Sequence, residues 1–204
     1  MTKEALRLEK LWAGKFGNAY TLRNQPNSNR VSFWKKVIKK TKPENILEVG
    51  CNLGANLRPI SKIVPARGLY GVDINQFALE TLRKDFPGIN AVWSQARELP
   101  FRSGYFDMTF TAGVLIHQPE ETLKRVMGEV VRCSGRWVLC LEYFSTDTQE
   151  VFYRGNKGAL FKRDYGTLYR RWFSELKLRQ TGFLSKKEGW DDITFWLFEK
   201  KKRS

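Results

Sequence analysis

In "ILEVGCNLGAN", Ile46 to Asn56, a short apolar run meets a turn with Gly50 and Gly54, as a buried strand feeding a helix does. Glycine belongs where such a turn takes positive φ or lets the backbone approach a ligand. Asn52 stands where many turns of this kind have a middle glycine. Asparagine tolerates the left-handed region better than most side chains, so Asn52 keeps the turn and adds an amide that can touch a ligand. Alone the motif is a weak signal, because many strand-to-helix glycine turns bind nothing of interest.

Outward from it the chain alternates. LYGVD (69–73), INAVW (89–93), FDMTFTA (106–112) and RWVLCLEYF (136–144) are further short apolar runs of buried-strand type. Helical spacing fills the gaps, with Leu57, Ile60 and Val64 on one face, Phe77, Leu79 and Leu82 on another, and Leu123, Val126, Met127 and Val130 on a third, behind Pro119 in a first helical turn. Right-handed crossovers then predict an α/β fold, a doubly wound, mostly parallel sheet that binds ligands at the carboxyl ends of 46–50 and 106–112. The tail breaks the alternation. After a helix around Leu168 to Leu176, KLRQTGFL (177–184) and ITFWLFEK (193–200) read as an antiparallel hairpin, which brings the sheet to seven strands. Before the sheet lie two amphipathic segments, one with Leu8, Leu11 and Trp12, the other running from a Ser32 cap through Phe33, Trp34, Val37 and Ile38 to Pro43. One domain is expected, divided into an N-terminal cap (1–45), a ligand-binding core (46–143), a lid (144–166) and a helix with the hairpin (167–204). Phe33, Trp34, Trp93, Trp137, Phe195 and Trp196 are assigned to packing.

Composition narrows the class. The N-terminus MTKEALRLEK has no apolar signal region and no window is apolar enough to span a membrane, so a soluble, cytoplasmic protein is expected. Cys51, Cys133 and Cys140 form no CxxC pair, which speaks for buried thiols and against a disulfide framework or a metal site. The formal net charge of +15 is uneven: residues 1–45 carry 11 Lys/Arg against 3 Asp/Glu, residues 46–143 carry 11 against 10, and residues 144–204 carry 14 against 8. Solvated helix faces such as Lys35, Lys36, Lys39 and Lys40 explain much of the excess, and an acidic partner near the flanks explains it equally well.

Asp73 ends the second run, 23 residues after Gly50, where a carboxylate can accept both hydroxyls of a ribose. Glu48-x-Gly50-x-x-x-Gly54, that acid and the C-terminal hairpin together resemble the class I S-adenosylmethionine-dependent methyltransferases, which have a Rossmann-like fold. The resemblance implies S-adenosyl-L-methionine as cofactor, with Glu48, Gly50, Cys51, Asn52 and Gly54 at its methionine end and Asp73 with Ile74 on its ribose. It implies Gln95-Ala96-Arg97 at the adenine, and Thr111, Ala112 and Gly113 beside the methionine end again. Gln95 stands where the family often has Asp; its carbonyl oxygen accepts from the adenine amino group. Tyr20 and Arg23-Asn24 fall over the cofactor. The D/N-P-P-Y signature of enzymes that methylate amide or base amino nitrogens is missing, which demotes a nucleic-acid N-methyltransferase.

A narrower resemblance spans almost the whole chain. WAGKFGNAYTLRN, ILEVGCNLGANL, GVDIN, GVLIHQPEE, EYF, YRGN, ALFKRDYG and DDITFWLFEK are similar in order and spacing to the methylases associated with pseudaminic acid biosynthesis. That implies a small acidic acceptor, a nonulosonic acid or related sugar intermediate. The insert after Glu142 then reads as an acceptor lid in which Tyr143, Tyr153, Arg154, Lys162 and Arg163 hold a carboxylate or phosphate. The alternative is that Phe152, Leu160 and Phe161 dock the loop and leave its cations in water. Transfer from a sulfonium methyl needs alignment above all, and a hydroxyl acceptor also needs a base, for which His117, Glu142 and Tyr153 are the candidates. An RNA methyltransferase using the basic flanks and a non-catalytic S-adenosylmethionine-binding regulator are the competing functions.

Overall fold

The computed structural model describes residues 2–24 and 30–201. Among the described residues, the α-helices α1 (Lys3–Ala13), α2 (Lys15–Arg23) and α3 (Val31–Thr41) precede the sheet. Then follow β1 (Ile46–Val49), α4 (Leu57–Ile60), β2 (Leu69–Asp73), α5 (Gln76–Asp85), β3 (Asn90–Trp93), β4 (Phe106–Ala112), α6 (Glu120–Cys133) and β5 (Ser134–Glu142). The short strands β6 (Gln149–Glu150) and β7 (Phe161–Lys162) pair with each other, and α7 (Tyr165–Trp172), β8 (Leu176–Leu184) and β9 (Ile193–Lys200) complete the order.

The seven strands of the main sheet lie in the order β3-β2-β1-β4-β5-β9-β8. The first five are parallel, and β9 is antiparallel to both β5 and β8. Strand β1 is buried along its whole length at the centre, where helices cover both faces. Between β1 and β4 the winding reverses, and the register Val49↔Thr111 and Val49↔Val72 aligns the carboxyl ends of three strands around one crevice. One apolar layer joins Phe33 and Trp34 of α3 to Ile46, Phe110 and Leu139. The other joins Leu123, Val126, Met127 and Val130 of α6 to Leu47, Val49 and Val138. Cys51, Cys133 and Cys140 are buried and free. No helix among the described residues is long and apolar enough to cross a membrane.

Several local expectations are corrected. The segment around Tyr20 is helix α2, whose close approach to α1 leaves room only for Gly17: a Cβ there would stand 1.8 Å from the Trp12 carbonyl oxygen. Helix α3 starts at Val31, so Ser32 lies inside it and does not cap it. Phe77 is off the buried face of α5, and Trp93 is 47% exposed because β3 is the sheet edge. Strand β5 is shifted toward the N-terminus, beginning at Ser134 and ending at Glu142. The last helix begins at Tyr165, capped by the Asp164 side chain on the Thr167 N–H, and Leu176 already belongs to β8.

Candidate active site

A cavity of about 470 Å³ opens where β1, β2 and β4 end, with α1 and α2 over it. Its floor is the glycine turn. Gly50 (φ 77°), Asn52 (φ 45°) and Gly54 (φ 69°) are all left-handed. A Cβ on Gly50 would also stand 2.3 Å from Val114 Cγ2, so this position is glycine for two reasons. The Gly50 and Cys51 N–H groups donate to the Val72 carbonyl at 2.8 and 2.9 Å. Asp73 finishes the turn: its Oδ2 accepts from the Asn52 N–H at 2.8 Å and its Oδ1 from the Asn75 N–H at 2.9 Å.

Glu48 is the buried acid of the site. Its Oε1 accepts from Asn56 Nδ2 at 2.7 Å, whereas Oε2 is buried without a partner. Burial pushes its carboxyl up to about 8, against the pull of Asn56 and Arg30. Arg30 reaches the same asparagine, with Nη1 donating to Asn56 Oδ1 at 3.0 Å and Nε to the Gly189 carbonyl at 3.0 Å, while its guanidinium lies 4.4 Å over the Trp190 ring. A carboxyl with an idle oxygen and a guanidinium with idle N–H groups thus face one cavity, joined by one side-chain amide. That pair fits the ammonium and carboxylate of an amino acid, the methionine end that the sequence implies. The Asn52 Oδ1, also buried without a partner, adds a second idle acceptor on that side.

Tyr20, Arg23, Glu48, Gly50, Cys51, Asn52, Asp73, Ile74, Ala96, Arg97, Ala112 and Gly113 all line the cavity; Gly54, Gln95 and Thr111 do not. Gln95 is turned toward Arg97, whose Nη2 donates to its Oε1, and Arg97 itself is held by Glu9 at 2.6 Å. Arg30, Asn56, Trp190 and Asn75 were missed by the sequence reading. Asn75 caps α5 through the Ala78 N–H and donates to the Trp12 carbonyl and to Asn18, tying α1 and α2 onto the core.

The three candidate bases differ in kind. Glu142 is fully buried, does not line the cavity, and accepts from the Val114, Leu115 and Ile116 N–H groups at 3.2, 3.1 and 3.4 Å. Burial pushes it up to about 7, and those donors pull it down. These bonds hold the turn that carries His117 and keep both carboxyl oxygens of Glu142 occupied away from the cavity. Tyr153 also stays outside the lining and packs against the His117 ring at 5.5 Å. His117 does line the cavity. Its Nδ1 is 2.5 Å from the Ala159 carbonyl, which can only accept, so Nδ1 carries the proton. Burial drives the ring down to about 4, leaving a neutral imidazole with a bare Nε2.

The expected lid does not line the cavity. Tyr143, Tyr153, Arg154, Lys162 and Arg163 all lie outside it. Arg163 is buried, donating to the Gln118 carbonyl at 3.1 Å, pairing with Glu120 at 3.6 Å and resting 4.3 Å from the Phe161 ring. Ala159 and Leu160 dock the insert into the core, whereas Phe152 is 65% exposed. Among the described residues no cluster of His, Cys, Asp and Glu is set to hold a metal.

Comparison with known proteins agrees with this layout. Residues 46–135 match the methyltransferase domain family. No curated protein matches the sequence closely enough to count as a relative. Among solved structures, the fold resembles 1,6-didemethyltoxoflavin-N1-methyltransferase of Burkholderia thailandensis, crystallised with 1,6-didemethyltoxoflavin and S-adenosylhomocysteine (TM-score 0.76, 11% identity, 97% of this chain and 89% of that one). It also resembles magnesium protoporphyrin IX methyltransferase of Synechocystis with bound S-adenosylmethionine (TM-score 0.70, 11% identity, 98% and 99%) and the cyclase SpnF (TM-score 0.61, 12% identity, 84% and 81%). At these identities the likeness is one of fold. Residues 46–135 are a methyltransferase domain, and the enzyme they belong to takes S-adenosylmethionine as its methyl donor.

Proposed function

We propose that this enzyme methylates a small acidic molecule, a nonulosonic (pseudaminic) acid or a related sugar intermediate. The observation that carries the small-molecule reading is the roof: α1 and α2 lie over the strand ends, tied down by Asn75, so an acceptor meets a cavity of about 470 Å³ and not an open basic face. The acidic-sugar reading is supported by the residue patterns along the chain that resemble the pseudaminic acid-associated methylases, and by the cations Arg23 and Lys186 in the cavity wall.

In this reading Glu48 and Arg30 hold the methionine end, with the Gly50–Asn52 turn beneath it, Asp73 takes the ribose hydroxyls, and the Ser94–Arg97 loop borders the adenine. When bound, S-adenosylmethionine supplies an electrophilic methyl group on its sulfonium. The protein aligns the acceptor and excludes water, an effect of proximity and orientation. His117 offers the bare Nε2 as a hydrogen-bond acceptor that would hold and orient an acceptor hydroxyl, its lowered pKa favouring orientation over full proton capture. Glu142 keeps the His117 turn in place.

A fold shared with a cyclase does not fix the chemistry, so the test is direct. Nonulosonic acids and their nucleotide-linked forms are incubated with enzyme and cofactor, and mass spectrometry is used to look for a gain of one CH2. Gain on RNA instead, with steep salt dependence of binding, would replace the acceptor class. Cofactor binding without any transfer would leave a regulator.

A further inference from the structure

The loop between β8 and β9, residues 185–192, was read from sequence as a plain hairpin connection. It is tightly built. Glu188 Oε2 accepts from the Ser185 N–H and hydroxyl at 3.0 and 2.7 Å, Gly189 (φ 83°) and Asp192 (φ 55°) are left-handed, and the Lys186 N–H donates to Asp192 Oδ1 at 2.9 Å. Arg30 fastens the loop to α3 through the Gly189 carbonyl. So fixed, it forms a wall of the same cavity with Lys186, Trp190 and Asp191, to which the end of α2 contributes Tyr20 and Arg23.

The charges on these walls are largely uncommitted. Arg23 and Asp191 make no hydrogen bond or ion pair with another described residue. Lys186 has one loose partner, Asp192 at 3.6 Å, and is 74% exposed. Tyr20 lines the same cavity, and burial holds its hydroxyl protonated well above the usual phenol range, with Asp191 acting in the same direction and Arg30 against it. A cation with no partner among the described residues and a cation with one loose partner thus border the same cavity as the Asp191 carboxylate and a neutral phenol. A dense polyanion would be repelled by Asp191, and a neutral sugar would leave Arg23 without a partner and Lys186 with only the loose Asp192 contact. A ligand with one carboxylate and neighbouring hydroxyls matches all four groups.

We infer that the acceptor subsite is this end of the cavity, between α2 and the 185–192 loop, with Arg23 and Lys186 taking the acceptor carboxylate and Asp191 accepting from a hydroxyl. The inference rests on the small-acid reading above and moves the acceptor away from the 144–164 insert.

The test uses the full chain saturated with S-adenosylhomocysteine, titrated calorimetrically with three probes: N-acetylneuraminate, its methyl ester and gluconate. The expected result is at least tenfold tighter binding of N-acetylneuraminate than of its ester. Arg23→Gln and Lys186→Gln should each lose fivefold or more for both acids and little for the ester, and Asp191→Asn should weaken acid and ester alike. Unchanged S-adenosylhomocysteine affinity in Lys186→Gln and Asp191→Asn shows that the fold and the cofactor end are intact, and a loss of S-adenosylhomocysteine affinity in Arg23→Gln gives Arg23 to the cofactor and overturns its part in the subsite. Wild-type affinity for the acids in Arg23→Gln and Lys186→Gln overturns the subsite, as does a wild-type protein that binds neither acid. A loss confined to Arg154→Gln or Lys162→Gln returns the carboxylate to the insert and likewise overturns it. Binding of both acids through Arg23 and Lys186 without methylation of a nonulosonic acid upholds the subsite and removes the acceptor identity instead.

Discussion

Replacing Asp73 by alanine tests the turn and the ligand site together. The ribose assignment from sequence treats the carboxylate as free to bind, yet both oxygens are already engaged by the Asn52 and Asn75 N–H groups at 2.8 and 2.9 Å. Alanine leaves two backbone donors without a partner, at ~1–3 kcal/mol each where water cannot reach them. Asn75 is buried and Asn52 half-buried at the cavity wall, so water repairs the second more easily than the first. The carboxylate itself is desolvated, with its pKa raised by burial, and removing it returns part of that loss. The net expectation is a loss of about 2–4 kcal/mol in unfolding free energy. Asp73→Asn, whose single carbonyl oxygen serves one of the two donors, should lose about half of this. Urea unfolding of wild type and both variants, with and without S-adenosylhomocysteine, gives the magnitudes; at temperatures where all are folded, calorimetry should show weaker cofactor binding by ~1.5–3 kcal/mol, the value of a hydrogen bond to a charged group. A wild-type urea midpoint in Asp73→Ala would refute the argument that this carboxylate builds the turn, whatever happens to affinity.

The other predictions concern the turn and the histidine. Asn52→Gly should fold with near wild-type stability, since φ 45° suits glycine and the unpartnered Oδ1 is removed, whereas Asn52→Val should lose ~2 kcal/mol or more in urea unfolding because a β-branched residue is badly placed there. Gly50→Ala combines a φ of 77° with a Cβ 2.3 Å from Val114 Cγ2, so it should abolish cofactor binding in calorimetry even where circular dichroism reports a folded chain; a binding-competent Gly50→Ala would mean the Val114 loop yields freely. His117 has a folded pKa near 4 against an unfolded value of 6.5, so its neutral burial contributes fully above pH 6.5 and is lost as pH falls toward 4, by roughly 3 kcal/mol. Glu48 and Glu142 act with the opposite sign, their raised values near 8 and 7 lowering stability as pH climbs from the usual carboxylate range. The difference between wild type and His117→Phe over pH 4–7 isolates the histidine, and an identical acid limb in both would contradict its burial as a neutral imidazole with a lowered pKa.

The parallel strands were legible because β1, β2 and β4 are short apolar runs ended by glycine or acid, and a buried parallel strand has few other ways to look. Helix α2 was not legible. Its buried positions are Gly17 and Thr21, which give no apolar periodicity, and it meets α1 through the Gly17 backbone and through Phe16 and Tyr20 edge-on to Trp12. The cofactor end was readable where a local motif carries it, from Glu48 through Asp73. Arg30 and the 185–192 loop were not, since their contact joins residues 159 positions apart that share no local pattern. The insert misled for a physical reason: aromatic rings interleaved with cations describe a sugar site and also a docked loop, and only burial tells Arg163 on Gln118 and Glu120 from a ligand clamp.

Strand β9 fills a slot between β5 and β8 although it follows both in sequence. During synthesis, therefore, the β5 edge with Trp137, Leu139 and Leu141 stays open until residues 193–200 have left the ribosome. At ~5–20 residues per second the chain from Glu142 to Lys200 takes roughly 3–12 s to make, a long interval for an unpaired apolar strand edge. The nascent protein spends it with the cofactor turn already translated, the 185–192 wall still missing, and a central strand edge open to pairing with other chains until β9 closes it.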